Sequence, residues 1–130
     1  MSHAIDTNVA VYAFEPGDKV ERASNLLEGA TISIQVLNEL ANVALRKLQY
    51  TSDKLEQCIG AIRSLVSTIQ PIDELTHDLA RAIVARYKLN FYDSLLITCA
   101  LLSGCDTFYS EDIHHGLIIE DQLTIRNPFA

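Results

Sequence analysis

"YDSLLITCALLSGCDTFYSED", residues 92–112, decides the fold. From Tyr92 to Gly104 it is apolar nearly all round, which predicts a helix buried on every side and stopped by a glycine. Just beyond, "TFYS" (107–110) reads as a short strand. A helix with no wet face must be covered by other elements on every side, and strands separated by helices supply a sheet to cover it. That arrangement belongs to an α/β domain.

Working outward, helix and strand signals alternate along the whole chain. "HAID" (3–6) is a short opening strand, and residues 7–14 continue as a helix until Pro16 and Gly17 break it. Asp18 is placed to cap a second helix to about Leu27, ended by Gly29. "ATISI" (30–34) has the β-branched character of a strand. "QVLNELANVALRKL" (35–48) follows as a helix, with Val36, Leu40, Val43 and Leu48 on or near one apolar stripe. "TSDKLEQCIGAIRSLV" (51–66) begins at a Thr/Ser cap and is a further helix. "STIQPI" (67–72) reads as an edge strand, because Pro71 cannot donate to a ladder. Asp73 precedes a helix over about 75–88, and "GLIIE" and "LTI" supply a last strand or two. The expectation is one three-layer α/β domain over residues 1–130, with a parallel β-sheet and helices on both faces.

Composition agrees with that architecture. A chain of 130 residues with 48 % apolar and 21 % charged residues can build a core without staples. No stretch reaches the roughly 20 apolar residues of a membrane span, and "MSHAIDTNV" lacks the pattern of a secretory leader, so a soluble, cytoplasmic protein is expected. Cys58, Cys99 and Cys105 form neither a CxxC motif nor an even set, which predicts reduced, mostly buried thiols. A net charge of −7 excludes binding to nucleic acid through a broad basic face. It leaves room for a small cationic groove, for metal ions or for a basic protein partner.

In open parallel sheets, sites form outside the carboxyl ends of the strands where the strand order reverses. Four acids fall there on this reading. Asp6 ends the first strand, and Glu39 lies in the early turns of the helix after strand 30–34. Asp93 sits in the first turn of the buried helix, where the macrodipole favours an anion. Asp112 follows strand 107–110 by two residues. Two carboxylates about 4 Å apart repel by roughly 4 kcal/mol at an effective dielectric near 20. A fold that gathers four must protonate some of them or bind hard divalent cations, Mg²⁺ or Mn²⁺. Such sites suit phosphoryl transfer by an activated water.

At these residues the chain resembles the PIN-domain nucleases, especially the toxins of VapC-type toxin–antitoxin pairs. "AIDTNVAVYAF" is similar to the opening motif, with Asp6 as a metal ligand and Asn8 as its polar support. "SIQVLNELANVALRK" resembles the second motif at Glu39, and "LNFYDSLLITCALLSGC" the third at Asp93. "FYSEDIHHG" resembles the fourth, with a hydroxyl at Ser110 and the acid at Asp112 in preference to Glu111. Ser110 stands where threonine is common and Ser94 where alanine is common. The resemblance covers about Ile5 to Phe129. It implies a Mg²⁺-dependent endoribonuclease leaving 5′-phosphate and 3′-hydroxyl ends, with Mn²⁺ as a possible substitute. It also implies a basic antitoxin partner that occupies the acidic groove, and a homodimer.

Each residue also has a plainer reading. Asp6 could cap a strand end, Glu39 could be a solvated charge, and Asp112 could cap the turn into "IHHG". Asn8 and Ser110 would orient carboxylates. Arg46, two turns beyond Glu39 on the same helix face, could touch an RNA phosphate or merely be solvated. Tyr12, Phe14, Phe91 and Tyr92 could stack on bases, though packing is the simpler role. His114 and His115 are adjacent in a loop and read as surface residues. Apolar residues of helices 18–28 and 51–66 could supply a dimer interface. Three rival classes compete with this reading. A signalling receiver domain needs a late lysine, and the last one here is Lys88. A dehalogenase-type phosphatase needs a second aspartate where Asn8 stands. A PIN fold reduced to a binding module, or a housekeeping RNA-processing nuclease, stays open at this level.

Overall fold

In the computed structural model, which describes residues 2–130, strand β1 (His3–Ile5) runs straight into helix α1 (Thr7–Tyr12), with Asp6 as the hinge between them. Helix α2 (Val20–Leu27) leads to strand β2 (Thr31–Ser33), helix α3 (Ile34–Arg46) and helix α4 (Ser52–Leu65). Strand β3 (Thr68–Gln70) is followed by helices α5 (Glu74–Tyr87) and α6 (Phe91–Leu102). Strands β4 (Thr107–Tyr109), β5 (Ile118–Ile119) and β6 (Leu123–Arg126) close the chain.

The sheet order is β3-β2-β1-β4-β6-β5. β1 pairs in parallel with β2 through Ala4 and Thr31, and on its other side with β4, where Ile5 lies opposite Tyr109. The order therefore reverses at β1, and a crevice opens at its carboxyl end. All three residues of β2 are buried, as a strand covered on both faces must be. Ile5, Ile32, Phe108 and Ile125 bring the strands into one core with Ile97 of α6, each no more than 1 % exposed. The α6 residues Ser94–Ala100 are all buried, as its sequence predicts. Ser94 and Thr98 tolerate this because their hydroxyls donate to Asn90 O and Ser94 O at 2.8 and 2.7 Å. The helix stops before Gly104, which adopts φ +75°.

Three local expectations are corrected. β5 runs antiparallel to β6, because Glu120 and Asp121 both take positive φ (53° and 54°) and turn the chain back on itself. Ile34 belongs to α3 rather than to the strand, since the Ser33 hydroxyl accepts from Gln35 N and starts the helix there. Asp18 does not cap α2. Lys19 occupies that position in a helical conformation and no side chain caps the helix. Residues 67–72 do form an edge strand, shortened to Thr68–Gln70 before Pro71. The three cysteines are free and buried. Among the described residues no helix is long and apolar enough to cross a membrane.

Candidate active site

The crevice is built from the ends of β1 and β4. Asp6 N donates to Tyr109 O at 2.9 Å, extending the ladder by one residue and bringing the Asp6 side chain over the strand ends. Its two oxygens are held separately. Thr7 N donates to Oδ1 and the Ser110 hydroxyl donates to Oδ2, each at 2.7 Å. Ser110 is fully buried, and its oxygen also accepts from the amides of Asp112 and Ile113. A hydroxyl is needed here, because one atom must donate to a carboxylate and accept from two amides.

Asp93 is held by a different device. Asn90 caps α6, its side-chain oxygen accepting from Asp93 N at 2.8 Å while its amide donates to Asp93 Oδ2 at 2.7 Å. Asn8, expected to support Asp6, instead donates to Asp112 Oδ2 at 2.9 Å. The side chain of Asn8 leaves the strand end with the first turn of α1 and so reaches the loop after β4, while Asp6 is already satisfied by Ser110. Glu39 lies in the second turn of α3, half-buried beside Thr7.

The acids sense one another. Burial pushes the Asp6 pKa up to about 6, partly offset by Ser110 and Thr7, and the charges of Asp93 and Glu39 raise it further. Glu39 is raised by burial, partly offset by Thr7 and Gln35, with the Asp93 charge adding to the rise. Asp93 is raised by burial, against the stabilising amide of Asn90, and by the charge of Asp112. The four carboxylates thus form a linked set: Asp6, Glu39 and Asp112 are each coupled to Asp93, and Asp6 is coupled to Glu39 as well.

Whether such a set suits a cation depends on its donors. Among the described residues no group of three or more His, Cys, Asp or Glu side chains is placed to hold a metal ion together. Mg²⁺, however, keeps several waters and is usually held through one or two carboxylates, so it does not require a group of three. Among the described residues, the buried side-chain atoms without a hydrogen-bond partner are Thr7 Oγ1, Asn8 Oδ1 and Glu39 Oε1, all from this crevice. Thr7 faces Glu39, yet neither oxygen makes a bond of normal geometry. Leaving each unpaired costs about 1–3 kcal/mol, which a bound ion with its waters would relieve.

Other sequence candidates fall elsewhere. Arg46 is exposed at the end of α3, whereas its neighbour Lys47 joins Thr7, Asn8, Val11 and Tyr12 around a groove of about 280 Å³. His114 and His115 are exposed, and His115 Nδ1 accepts from Asn127 N. Tyr12 and Phe14 pack on the core, while Tyr92 is 59 % exposed. Sequence reasoning missed Thr7, Asn90 and Lys47. The Asn–x–x–Asp spacing before an apolar run was a legible cap signal for Asn90; the groove position of Lys47 had none. A cavity of about 220 Å³ between α5 and α6, lined by Leu79, Ile83 and Leu101 among others, shares no residue with the acids.

The PIN domain family matches residues 4–116. Among curated proteins nothing matches in sequence. A toxin–antitoxin complex from Klebsiella pneumoniae is similar over 98 % of both chains, at 18 % identity and a TM-score of 0.73. VapBC2 from Rickettsia felis, solved bound to a DNA fragment from its promoter, is also similar over 98 % of both, at 18 % identity and 0.65. VapC20 of Mycobacterium tuberculosis, described as a sarcin–ricin-loop-cleaving toxin, matches 82 % of this chain and 87 % of its own, at 16 % identity and 0.66. At such identities the likeness is one of fold.

Proposed function

The chain belongs to the PIN-domain family, and from that premise we propose that its acidic crevice is the active site of a Mg²⁺-dependent endoribonuclease, the toxin of a toxin–antitoxin pair. The observation that carries the reading is the gathering of the unpaired buried oxygens of Thr7, Asn8 and Glu39 beside a carboxylate, Asp6, whose pKa lies near 6.

Asp6, Glu39, Asp93 and Asp112 are the residues that would hold a divalent ion, Mg²⁺ or Mn²⁺. When bound, such an ion lowers the pKa of water and offsets charge on the phosphoryl oxygens. The chain's own residues do the rest. Ser110 and Thr7 N fix the two oxygens of Asp6, Asn90 fixes Asp93, and Asn8 fixes Asp112. Glu39 Oε1 is an unpaired acceptor on a carboxylate made more basic by burial, so it can take the proton of the attacking water at that atom.

Toxin structures of the same fold, solved with their antitoxins, support a protein partner for this chain. A net charge of −7 suits a basic antitoxin segment lying over the crevice. The reading also includes cytoplasmic residence and a homodimer. For the latter, Leu75, Leu79, Tyr92 and Leu102 of α5 and α6 expose more apolar surface than α2 or α4 do. The test is incubation of the purified, partner-free chain with mixed RNAs. Cleavage that needs Mg²⁺, stops in chelator and is absent in Asp6→Asn is expected. Metal-independent cleavage, or equal cleavage by Asp6→Asn, would overturn the reading.

A further inference from the structure

Glu111 stands next to Asp112 in the chain but spends its carboxylate elsewhere. Its Oε1 accepts from the Tyr12 hydroxyl at 2.6 Å, and its Oε2 forms an ion pair with Lys19 Nζ. The same ammonium lies 4.4 Å from the centre of the Tyr12 ring and 5.1 Å from that of Phe129, and those two rings meet edge to face at 5.3 Å. Four distant segments therefore meet at one point: the end of α1, the turn before α2, the loop after β4 and the C-terminal residues.

That loop is pinned on its other side as well. Ser110 is fully buried and accepts from the amides of Asp112 and Ile113, and the Ile113 side chain is 5 % exposed. Asp112 itself is exposed, and among the described residues its one side-chain partner is the amide of Asn8, itself on α1. The position from which an exposed carboxylate on a short loop reaches the crevice is set by the backbone on both sides of it, whose freedom costs free energy to remove. We infer that Lys19, Tyr12 and Glu111 form a latch of positioning residues that holds the loop after β4 so that Asp112 stays in the crevice. The ion pair also neutralises Glu111, which would otherwise add a fifth negative charge to a site already crowded with them.

This rests on the metal-site reading of the crevice, so the test measures Mn²⁺ binding to the whole chain without RNA, alongside cleavage. Glu111→Ala and Lys19→Met should each weaken Mn²⁺ binding and lower kcat by about 10-fold, the scale for losing a partner that orients a ligand, with KM nearly unchanged. Glu111→Gln keeps an acceptor for Tyr12 but loses the ion pair, so it should weaken Mn²⁺ binding about as much as Lys19→Met and less than Asp112→Asn. Tyr12→Phe removes one hydroxyl and leaves the ring packing, so it reports on the latch even if Glu111→Ala fails to fold. Mn²⁺ binding by Tyr12→Phe and Lys19→Met equal to that of the unaltered chain would overturn the latch while leaving the nuclease intact. Glu111→Gln as damaging as Asp112→Asn would overturn it too, by making Glu111 a ligand. A chain that cleaves no RNA, but whose Mn²⁺ binding falls in the latch variants, would keep the latch and remove the nuclease. No Mn²⁺ binding by the unaltered chain would overturn both.

Discussion

Asp6 and Asp73 occupy equivalent places in the fold and have opposite chemistry. Each follows a strand closely and caps the next helix: Asp6 after β1 for α1, Asp73 after β3 for α5. Asp73 is exposed and forms a complete capping box with Thr76, whose amide and hydroxyl both donate to it, and its pKa is lowered. Asp6 is buried, shares its surroundings with Asp93 and Glu39, and is raised to about 6. A cap signal in sequence is the same at both places. What separates the two carboxylates is burial and the company of like charges.

The largest effect that could break this contrast is catalytic. Asp6→Asn should lower RNA cleavage at least about 10²-fold, the scale for one preorganised electrostatic group, while Asp73→Asn should leave the rate essentially unchanged. Comparable losses in both, read from initial rates, would make Asp6 an ordinary cap.

The pH dependence of the metal-free protein should have opposite signs at the two sites. Asp6 has a folded pKa above its ordinary value of 3.8, so the native state holds the extra proton between about pH 4 and 6. Stability in chelator therefore falls as pH rises through that window, by up to about 3 kcal/mol, and the cost persists above it. Asp73, lowered, adds stability that is present above its unfolded pKa and lost as pH falls through the folded one. Denaturant midpoints in chelator should consequently rise for Asp6→Asn relative to the unaltered chain at pH 8, and converge near pH 4. Asp73→Ala should instead lower the melting temperature by the modest amount of a lost cap. An Asp6→Asn protein less stable than the unaltered one at pH 8 would contradict the crowding.

A smaller effect tests the support of Asp93. Asn90→Ala removes both the α6 cap and the amide that holds the carboxylate. It should cost about 1 kcal/mol of stability and lower kcat by about 10-fold. Asn90→Asp, which keeps the cap but repels Asp93, should recover the stability and not the rate. Recovery of both would mean that Asn90 serves only the helix.

Much of this was legible in the sequence, for identifiable reasons. The order of strands and helices followed from periodicity and from glycine stops at Gly29 and Gly104, and the all-apolar face of α6 announced its burial. Asp6 and Asp112 could be placed near the crevice because they follow β1 and β4 on either side of the reversal of order, whereas Glu39 and Asp93 sit in the early turns of helices α3 and α6. Partnerships between distant residues were not legible. Asn8 serves Asp112 rather than Asp6, and Lys19 reaches across the fold to Glu111, because rotamers and loop paths decide which oxygen meets which donor. The antiparallel β5 was hidden for a local reason: its turn places Glu120 and Asp121 at positive φ, without the glycine that normally signals such a backbone.

The most direct measurement is a crystal of the partner-free protein grown with Mn²⁺ and examined at the manganese absorption edge. An anomalous peak bounded by the oxygens of Asp6 and its companion acids Glu39, Asp93 and Asp112 is the predicted result. Ordered Mn²⁺ bound only elsewhere, for example near the exposed Asp78 or Asp121, with the Asp6 crevice filled by water alone, would contradict the account.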